Sequence, residues 1–539
     1  MAVLISNVPV DDTVEPEILV ARHLRMSPRW IRAVVLVRRS LDARQREKKW
    51  VAVYRVELED EERLLARGLA GVRRWTPRDE GRYGLDAQRP PRRIFAADVR
   101  PIVVGAGPAG LFAALYLAEA GAPVTLLERG APVEERIGAV NGFWRGKAPL
   151  DPENNLLFGE GGAGTFSDGK IYTRRRDGEL GYIFHKLVEL GADRSVLQEA
   201  WAHLGTDRIR ALLRPLRERL QALGVGVRFH ACVVSLVVDE GRCVGVTLAD
   251  GTRIDGGPVL VGAGHSARDA IAMMVEAGAS AEPRGVAIGA RIEHPQAMVD
   301  AGRYGAEGRG ELPPASYRLS HHTEGAAPAR TFCMCPGGMV VPAMNHEARV
   351  VVNGMSFAAR RSYWANSAVI VEVDPAVYGA SDPMAGFRWQ DAIERRAFEM
   401  GGGGYRAPAQ RVSDFLAGRP STDLPRTSYP LGVVPADLHE LLPPEVTSAM
   451  KEAIRAFDVQ LPGFAGADGT LIAPETRTTS PVRFLRDERG ESEGLPGLFP
   501  IGEGAGHAGG IISSALDGLR AARALVSDAP PAPGPDGCG

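Results

Sequence analysis

Residues 101–130, "PIVVGAGPAGLFAALYLAEAGAPVTLLERG", constrain this chain more than any other stretch. An apolar, β-branched run leads straight into Gly105-x-Gly107-x-x-Gly110; a segment with apolar residues at helical spacing follows, and a second apolar run ends at Glu128. That order predicts strand, tight turn, helix and parallel strand, the opening unit of a Rossmann-like dinucleotide-binding fold. Each residue type has a physical task. Gly105 permits the turn, Gly107 places no side chain between backbone and pyrophosphate, and Gly110 lets the helix lie close on the strand. Pro108 and Ala109 open the helix, whose unpaired N–H groups and partial positive charge favour phosphates. Glu128, with Arg129 beside it, falls where a carboxylate accepts ribose hydroxyls.

Two further glycine-rich segments bear on which dinucleotide is bound. "FGEGGAGTFSDGK", residues 158–170, places Gly162, Ala163 and Gly164 beside Thr165, Ser167 and Asp168, so that backbone amides and hydroxyls come up against a long cofactor. "GLFPIGEGAGHAGGIISSALDGL" supplies Gly502 and Glu503 after a strand, then Gly509, Gly510 and Ile511 at the start of a final helix. Contacts spread from Gly105 to Gly510 suit FAD better than NAD, and Val233, Ala263 and Gly264 complete the expected cofactor set. The stretch Gly262-x-Gly264-x-x-Ala267, with Glu282 beyond it, would alone suggest an NAD(P) site. Residues 225–261 alternate as a three-stranded meander and no apolar strand precedes Glu282, so residues 259–264 are expected to be the returning strand of the FAD domain. NAD(P)H is then a candidate electron donor with no Rossmann domain of its own.

A chain of 539 residues exceeds what one core organises. Residues 1–95 read as a small α+β domain of ferredoxin-like kind, 96–282 as the first part of the FAD domain, and 283–470 as an inserted mixed β-sheet substrate domain with a helical cap. Residues 471–528 are the FAD domain's return segment and 529–539 a disordered tail, which makes the whole an α/β protein. "DAQRPPRRIFAADVR" marks a linker. The small domain concentrates Arg22, Arg25, Arg29, Arg32, Arg38, Arg39, Arg44, Arg46, Lys48 and Lys49 against Asp42 and Glu47, either a solvated helix face or a surface for RNA, an acidic protein or a phosphate. The formal charge of -2 gives no global reason to expect nucleic acid or an acidic membrane as partner. The start, "MAVLISNVPVDD", lacks a basic n-region and a long apolar run. Cys232, Cys243, Cys333, Cys335 and Cys538 form no disulfide framework, so a reducing cytoplasm is expected, and no spacing predicts a metal site.

Across nearly its whole length the sequence is similar to an uncharacterised bacterial family of FAD-dependent dehydrogenases, within the glutathione-reductase-like and fumarate-reductase-like flavoprotein group. The similarity rests on "SLDAR", "VVGAGPAGLFAA", "FGEGGAGTFSDGKIYTR", "GHSARD", "RIEHPQ", "FCMCPGG", "NGMS", "ETRTTSPVR" and "GEGAGHAGGI". It implies bound FAD, redox chemistry, and an inserted sheet over the isoalloxazine ring with substrate entering beneath a cap. It supplies no substrate.

Candidate catalytic residues come from the inserted segment and the C-terminal part. In "TFCMCPGGMV" a regular strand would put Cys333 and Cys335 on one face, their Cα atoms roughly 6.5 to 7 Å apart, at or beyond the disulfide limit. They are then a thiol beside the flavin or buried wall, and Cys335 lies nearer the Pro336-Gly337-Gly338 turn. Arg477 and Arg483 either hold an anionic substrate or pair with Glu475; Asn353 and His322 offer a hydrogen bond or proton; His507 is placed to touch the flavin. The expected reaction is hydride transfer between flavin N5 and an organic substrate. The alternative is a flavin-bound redox sensor, or an RNA- or protein-associated binding protein acting through the basic domain.

Overall fold

The computed structural model describes residues 2–42, 48–83, 90–93, 95, 99–173, 177–322 and 327–529. Arg44, Arg46, Glu47, Cys538, parts of the expected linker and nearly all of the expected tail lie outside the described residues. The protein is mixed α/β and divides into two compact units.

One unit comprises Met1–Arg89 and Lys170–His203. Its sheet runs in the order Ile31–Asp42, Lys49–Leu58, Ala2–Pro9, Val72–Arg74, every neighbour antiparallel. With helices Pro16–Leu24 and Glu61–Leu65 in the two crossovers, this is the split βαβ arrangement. Sequence periodicity explains it: in "KWVAVYRVEL" the alternate residues Ala52, Tyr54, Val56 and Leu58 are buried, where they pack with Val3, Ile5, Val20 and Leu24. Residues 170–203 group with this unit rather than with the residues that flank them in sequence. Their physical anchor is backbone pairing on the outer strand: the Arg39 N–H donates to the Gln198 carbonyl at 2.6 Å, and Ala200 N–H to the Arg39 carbonyl at 2.9 Å. In the basic run, Arg22, Arg25, Arg29 and Arg32 are exposed, while Arg39 pairs with Asp12 at 3.0 Å.

The other unit comprises Pro90–Gly169 and Leu204–Gly539. A five-stranded parallel sheet runs Leu498–Pro500, Val259–Val261, Ile102–Val104, Thr125–Leu127, Gly226–Arg228. Val259–Val261 thus lies beside the strand that opens the first fingerprint, and Val233–Asp239, Arg242–Leu248 and Arg253–Asp255 form the antiparallel meander before it. Glu282 stands on a short strand, Ala281–Pro283, that pairs outside the parallel sheet with Val482–Phe484. Between Val261 and Leu498 the chain builds a seven-stranded, mostly antiparallel sheet whose central strands, Val286–Pro295 and Trp364–Val373, are buried along almost their full length. The hairpin Met339–Pro342 and Val352–Met355 packs against that sheet. Among the described residues, no helix is long and apolar enough to cross a membrane.

Helix Pro108–Ala120 and the final helix Ile511–Asp528 meet through glycine. A Cβ on Gly518 would lie 2.0 Å from the Ala109 carbonyl oxygen, closer than any side chain tolerates. Gly518→Ala is expected to part these helices and cost about 1–3 kcal/mol in urea denaturation. An unchanged midpoint would show that the two helices do not touch there.

Candidate functional site: a flavin cradle and a buried arginine layer

The fingerprint glycines are required by backbone contact. Gly105 takes φ +97°, and a Cβ there would meet the Gly262 carbonyl oxygen at 2.5 Å; a Cβ on Gly110 would meet the Gly105 carbonyl oxygen at 1.9 Å. Gly107 has extended backbone and caps the helix that Pro108 and Ala109 begin, with room for a Cβ; its freedom from a side chain serves an incoming group instead. The loop at Gly162 comes against Gly107, since a Cβ on Gly162 would lie 3.1 Å from the Gly107 Cα. A Cβ on Gly164 would lie 2.9 Å from Ile511, the first residue of the final helix. Gly504 would likewise meet the Gly264 carbonyl oxygen at 2.6 Å. The glycine segments therefore converge, while beside Gly264, Gly509 and Gly510 a Cβ would meet nothing within 4 Å. That uncovered backbone, ending at the N-terminus of an 18-residue helix, fits an elongated dinucleotide.

Glu128 is buried and already engaged. Its carboxylate accepts the Ala106 N–H at 2.7 Å and those of Gly130 and Gly159 at 3.0 Å. The residue expected to hold ribose hydroxyls therefore also ties both glycine loops together, with one acceptor position left over. Arg129 differs from its expected cofactor role: Glu153 at 2.6 Å and Asp269 at 2.9 Å hold its guanidinium, which lies over Phe158. Thr165 donates to the Glu160 carbonyl at 3.1 Å and Ser167 to the Gly164 carbonyl at 2.8 Å, so both hydroxyls shape the loop. Ala163 is exposed, Ala263 is half-buried, and Val233 is buried in the meander. Asp517 accepts the Gly502 N–H at 2.7 Å, and Glu503 lies 3.7 Å from His265.

Beneath the second loop sits a residue that sequence reasoning missed. Arg136 is wholly buried and donates to the carbonyls of Asn155, Leu156, Gly159 and Glu160. Burial without a directly bonded carboxylate pushes its guanidinium down to about 9. No local pattern marks it, because its partners are main-chain oxygens.

The inserted sheet contains a second missed group. Arg291, wholly buried, donates to Glu475 at 2.6 Å, to Asn366 Oδ1 at 2.7 Å, and through both terminal nitrogens to the Cys333 carbonyl at 3.3 and 3.2 Å. Its Nη1 lies 3.7 Å from Cys335 Sγ, and that thiol donates to the Cys333 carbonyl at 3.2 Å. The hairpin fits over this group only because residue 354 is glycine, where a Cβ would lie 1.7 Å from Arg291 Nη1. The signal was present: "VAIGARIEHP" reads as a central strand yet carries Arg291, Glu293 and His294. Burial holds His294 down, to about 4, and Glu293 up, to about 7, the latter opposed by hydrogen bonds from the Ser428 hydroxyl and amide.

The candidate catalytic residues separate into different networks. Cys333 and Cys335 are not joined in a disulfide, and they do not share a face of a regular strand. The register slips between Phe332 and Cys335, and Cys333 adopts φ +45°, a bulge that leaves Cys333 half-buried and Cys335 fully buried. Cys335, the preferred flavin-facing thiol, is thus sealed against Arg291. Asn353 lies on the covering hairpin and accepts the Gly354 N–H at 2.7 Å. Arg477 does not pair with Glu475, which belongs to Arg291; it is held by Glu394 at 2.7 Å and by Asn345. Burial raises the Glu394 carboxyl, and Arg477 and Arg268 outweigh it, holding the group below its ordinary value. Arg483 pairs at the surface with Glu282 at 3.9 Å. His507 donates from Nε2 to the Phe484 carbonyl at 2.8 Å, so that nitrogen is not offered to a flavin. Among the described residues no group of three or more His, Cys, Asp or Glu could hold a metal ion.

Comparison with known proteins decides the family. Residues 100–209 match the family described as FAD dependent oxidoreductase, and residues 285–478 match FAD-dependent protein, C-terminal domain-like. Residues 8–59 match a domain of unknown function. A Clostridium beijerinckii protein, named only "uncharacterized protein", is 37% identical over 540 residues, covering 98% of this chain and 99% of the relative. The chain belongs to this FAD-dependent oxidoreductase family. It is a flavoprotein, and its cofactor is FAD. Solved structures with some likeness include a 3-ketosteroid-Δ4-(5α)-dehydrogenase from Rhodococcus jostii, at 16% identity and TM-score 0.33, covering 81% of this chain and 99% of that one. A geranylgeranyl bacteriochlorophyll reductase-like protein from Thermoplasma acidophilum gives 13% identity and TM-score 0.34, covering 80% and 78%. A flavin-dependent brominase gives 12% and 0.35, covering 79% of each chain. Likenesses of that size decide nothing about the reaction.

Two measurements check this site. A thiol-reactive probe with mass-spectrometric localisation should label Cys333 in the native flavoprotein and Cys335 only on unfolding; equal rates would contradict the bulge. The second concerns Glu293, which ionises near 4.5 when unfolded and near 7 when folded. The folded state holds the extra proton between those values, so this group's contribution is fully present below pH 4.5 and is lost as pH rises through 7, a change of about 3 kcal/mol. Glu293→Gln should flatten that part of the stability profile, and a parallel profile would show that Glu293 is not buried.

Proposed function

We propose that this flavoprotein transfers a hydride between flavin N5 and a small organic substrate, with NAD(P)H as a candidate partner for the other half of the cycle. The observation that carries this reading is the contact of Gly164 with Ile511, which brings the second glycine loop to the start of the final helix. FAD, when bound, supplies the hydride acceptor or donor; the rest of the work belongs to the chain. Gly107 leaves backbone bare where the phosphates would lie, Gly162 lets the second loop come against it, and Glu128 and Arg136 hold the two loops in shape. With the flavin ring at Gly509 and Gly510, the partial positive charge of this helix N-terminus would favour the negative charge gained on reduction. The buried Arg291 layer and its glycine-fitted hairpin supply a rigid wall for the inserted sheet.

Purified protein should be yellow and release FAD on acid treatment, and Gly107→Val should lose most of that FAD while staying folded. Anaerobic reduction by NADH or NADPH deuterated at the transferred position should show an isotope effect on flavin bleaching, with Glu282→Ala no slower. Flavin that bleaches with neither nicotinamide removes the nicotinamide partner, and one that bleaches without an isotope effect argues against hydride transfer.

A further inference from the structure

Residues 356–363, "SFAARRSY", join strand Val352–Met355 to strand Trp364–Val373 and tie together two regions already described. At one end the Ser356 hydroxyl is bonded to the carboxylate of Asp168, in the glycine-rich loop 158–170, and the Arg360 guanidinium lies 3.8 Å from the same carboxylate. At the other, the turn after Cys335 closes on it: a Cβ on Gly337 would lie 2.1 Å from the Arg360 carbonyl oxygen, and the Ser362 N–H donates to the Gly337 carbonyl at 3.2 Å. The segment therefore spans from the cofactor loop to the thiol-bearing bulge.

A segment so constrained nevertheless presents apolar rings to solvent. Phe357 is 46% and Tyr363 65% exposed, and Phe332, in the same strand as Cys333, is 37% exposed. Tyr363 stands edge-on to Trp364, with centroids 4.6 Å apart. Between Phe357 and Tyr363 in sequence, Arg361 is exposed and makes no hydrogen bond or ion pair among the described residues, whereas Arg360 beside it is engaged with Asp168. Two exposed rings and an unengaged planar cation within seven residues, on a backbone held at both ends, offer a surface for a molecule with both an anionic and an apolar part.

We propose that residues 356–363 recognise the substrate, an organic carboxylate with an apolar, ring-sized body, whose carboxylate lies on Arg361 and whose body lies on Phe357 and Tyr363. The assignment rests on the flavoenzyme reading above. A guanidinium fork matches a carboxylate with two parallel hydrogen bonds, which an amide of the same shape cannot accept.

The test titrates the full-length holoprotein with cinnamate, with cinnamamide, which keeps the body and loses the charge, and with acetate, which does the reverse. Flavin absorbance is one readout. Tryptophan fluorescence, sensitive here through Trp364 beneath Tyr363, is a second that needs no flavin chemistry. Cinnamate should saturate both, with cinnamamide and acetate weaker by about tenfold or more. Arg361→Gln should weaken cinnamate about tenfold and leave cinnamamide unchanged, while Phe357→Ala and Tyr363→Ala should weaken both aromatic probes, all three variants keeping full FAD content. Equal binding of cinnamate and cinnamamide, wild-type binding by Arg361→Gln, or no saturation by cinnamate would each overturn the proposal. A holoprotein that binds cinnamate as stated but whose flavin accepts no hydride would sink the flavoenzyme reading alone.

Discussion

The carboxylate of Glu128 is the point on which the cofactor region depends. Three main-chain amides, from Ala106 in the first glycine turn, Gly130 after the second strand and Gly159 in the second glycine loop, converge on it. Hydrogen bonds to an ionised acceptor contribute roughly 1.5–3 kcal/mol each, more than neutral ones, and here they join segments that sequence separates. Arg136 completes the arrangement from below by collecting carbonyls from the same second loop. One charged group thus gathers the loop's amides and another its carbonyls, which is how a glycine-rich stretch with little side-chain packing of its own becomes a defined surface.

Charge is used again, differently, in the inserted sheet. Arg291 and Glu475 form an ion pair with both members almost wholly removed from water. Such pairs add little stability over an apolar substitute, but losing one partner costs about 3–5 kcal/mol, so they penalise wrong arrangements strongly. Here the penalised alternatives are other registers of the sheet: Arg291 lies between Ala368 and Ile472 on neighbouring strands, and a slip by one residue would turn its guanidinium away from Glu475 and Asn366.

Much of the cofactor region was legible in the sequence because its requirements are local. Gly105, Gly107 and Gly110 announce a turn whose geometry depends on residues within the same motif, and the apolar run 259–261 could be assigned to the same sheet from the alternation preceding it. The buried charge pairs were not legible, since their partners are chosen by strand order. Glu475 sits two residues from Arg477 in sequence, yet the sheet delivers it to Arg291, while Arg477 goes to Glu394 on a helix. Residues 170–203 escaped the domain boundaries for a similar reason, being attached through main-chain pairing at Arg39, which no side-chain pattern records.

The two thiols show how a buried charge reaches into chemistry that composition alone would assign wrongly. Alternation along "RTFCMC" treats Cys333 and Cys335 as equivalent. Arg291 has five N–H donors to satisfy in a place without water, and Glu475 and Asn366 do not accept them all. The left-handed turn at Cys333 brings its carbonyl to the remaining donors, at 3.2 and 3.3 Å, and a non-glycine residue holds such a conformation only where its surroundings demand it. The same turn takes the strand out of register, so that Cys335 is drawn into the layer and Cys333 is left half-buried. The difference between a sealed thiol and an accessible one therefore originates in the hydrogen-bonding demand of an arginine more than forty residues upstream in the chain.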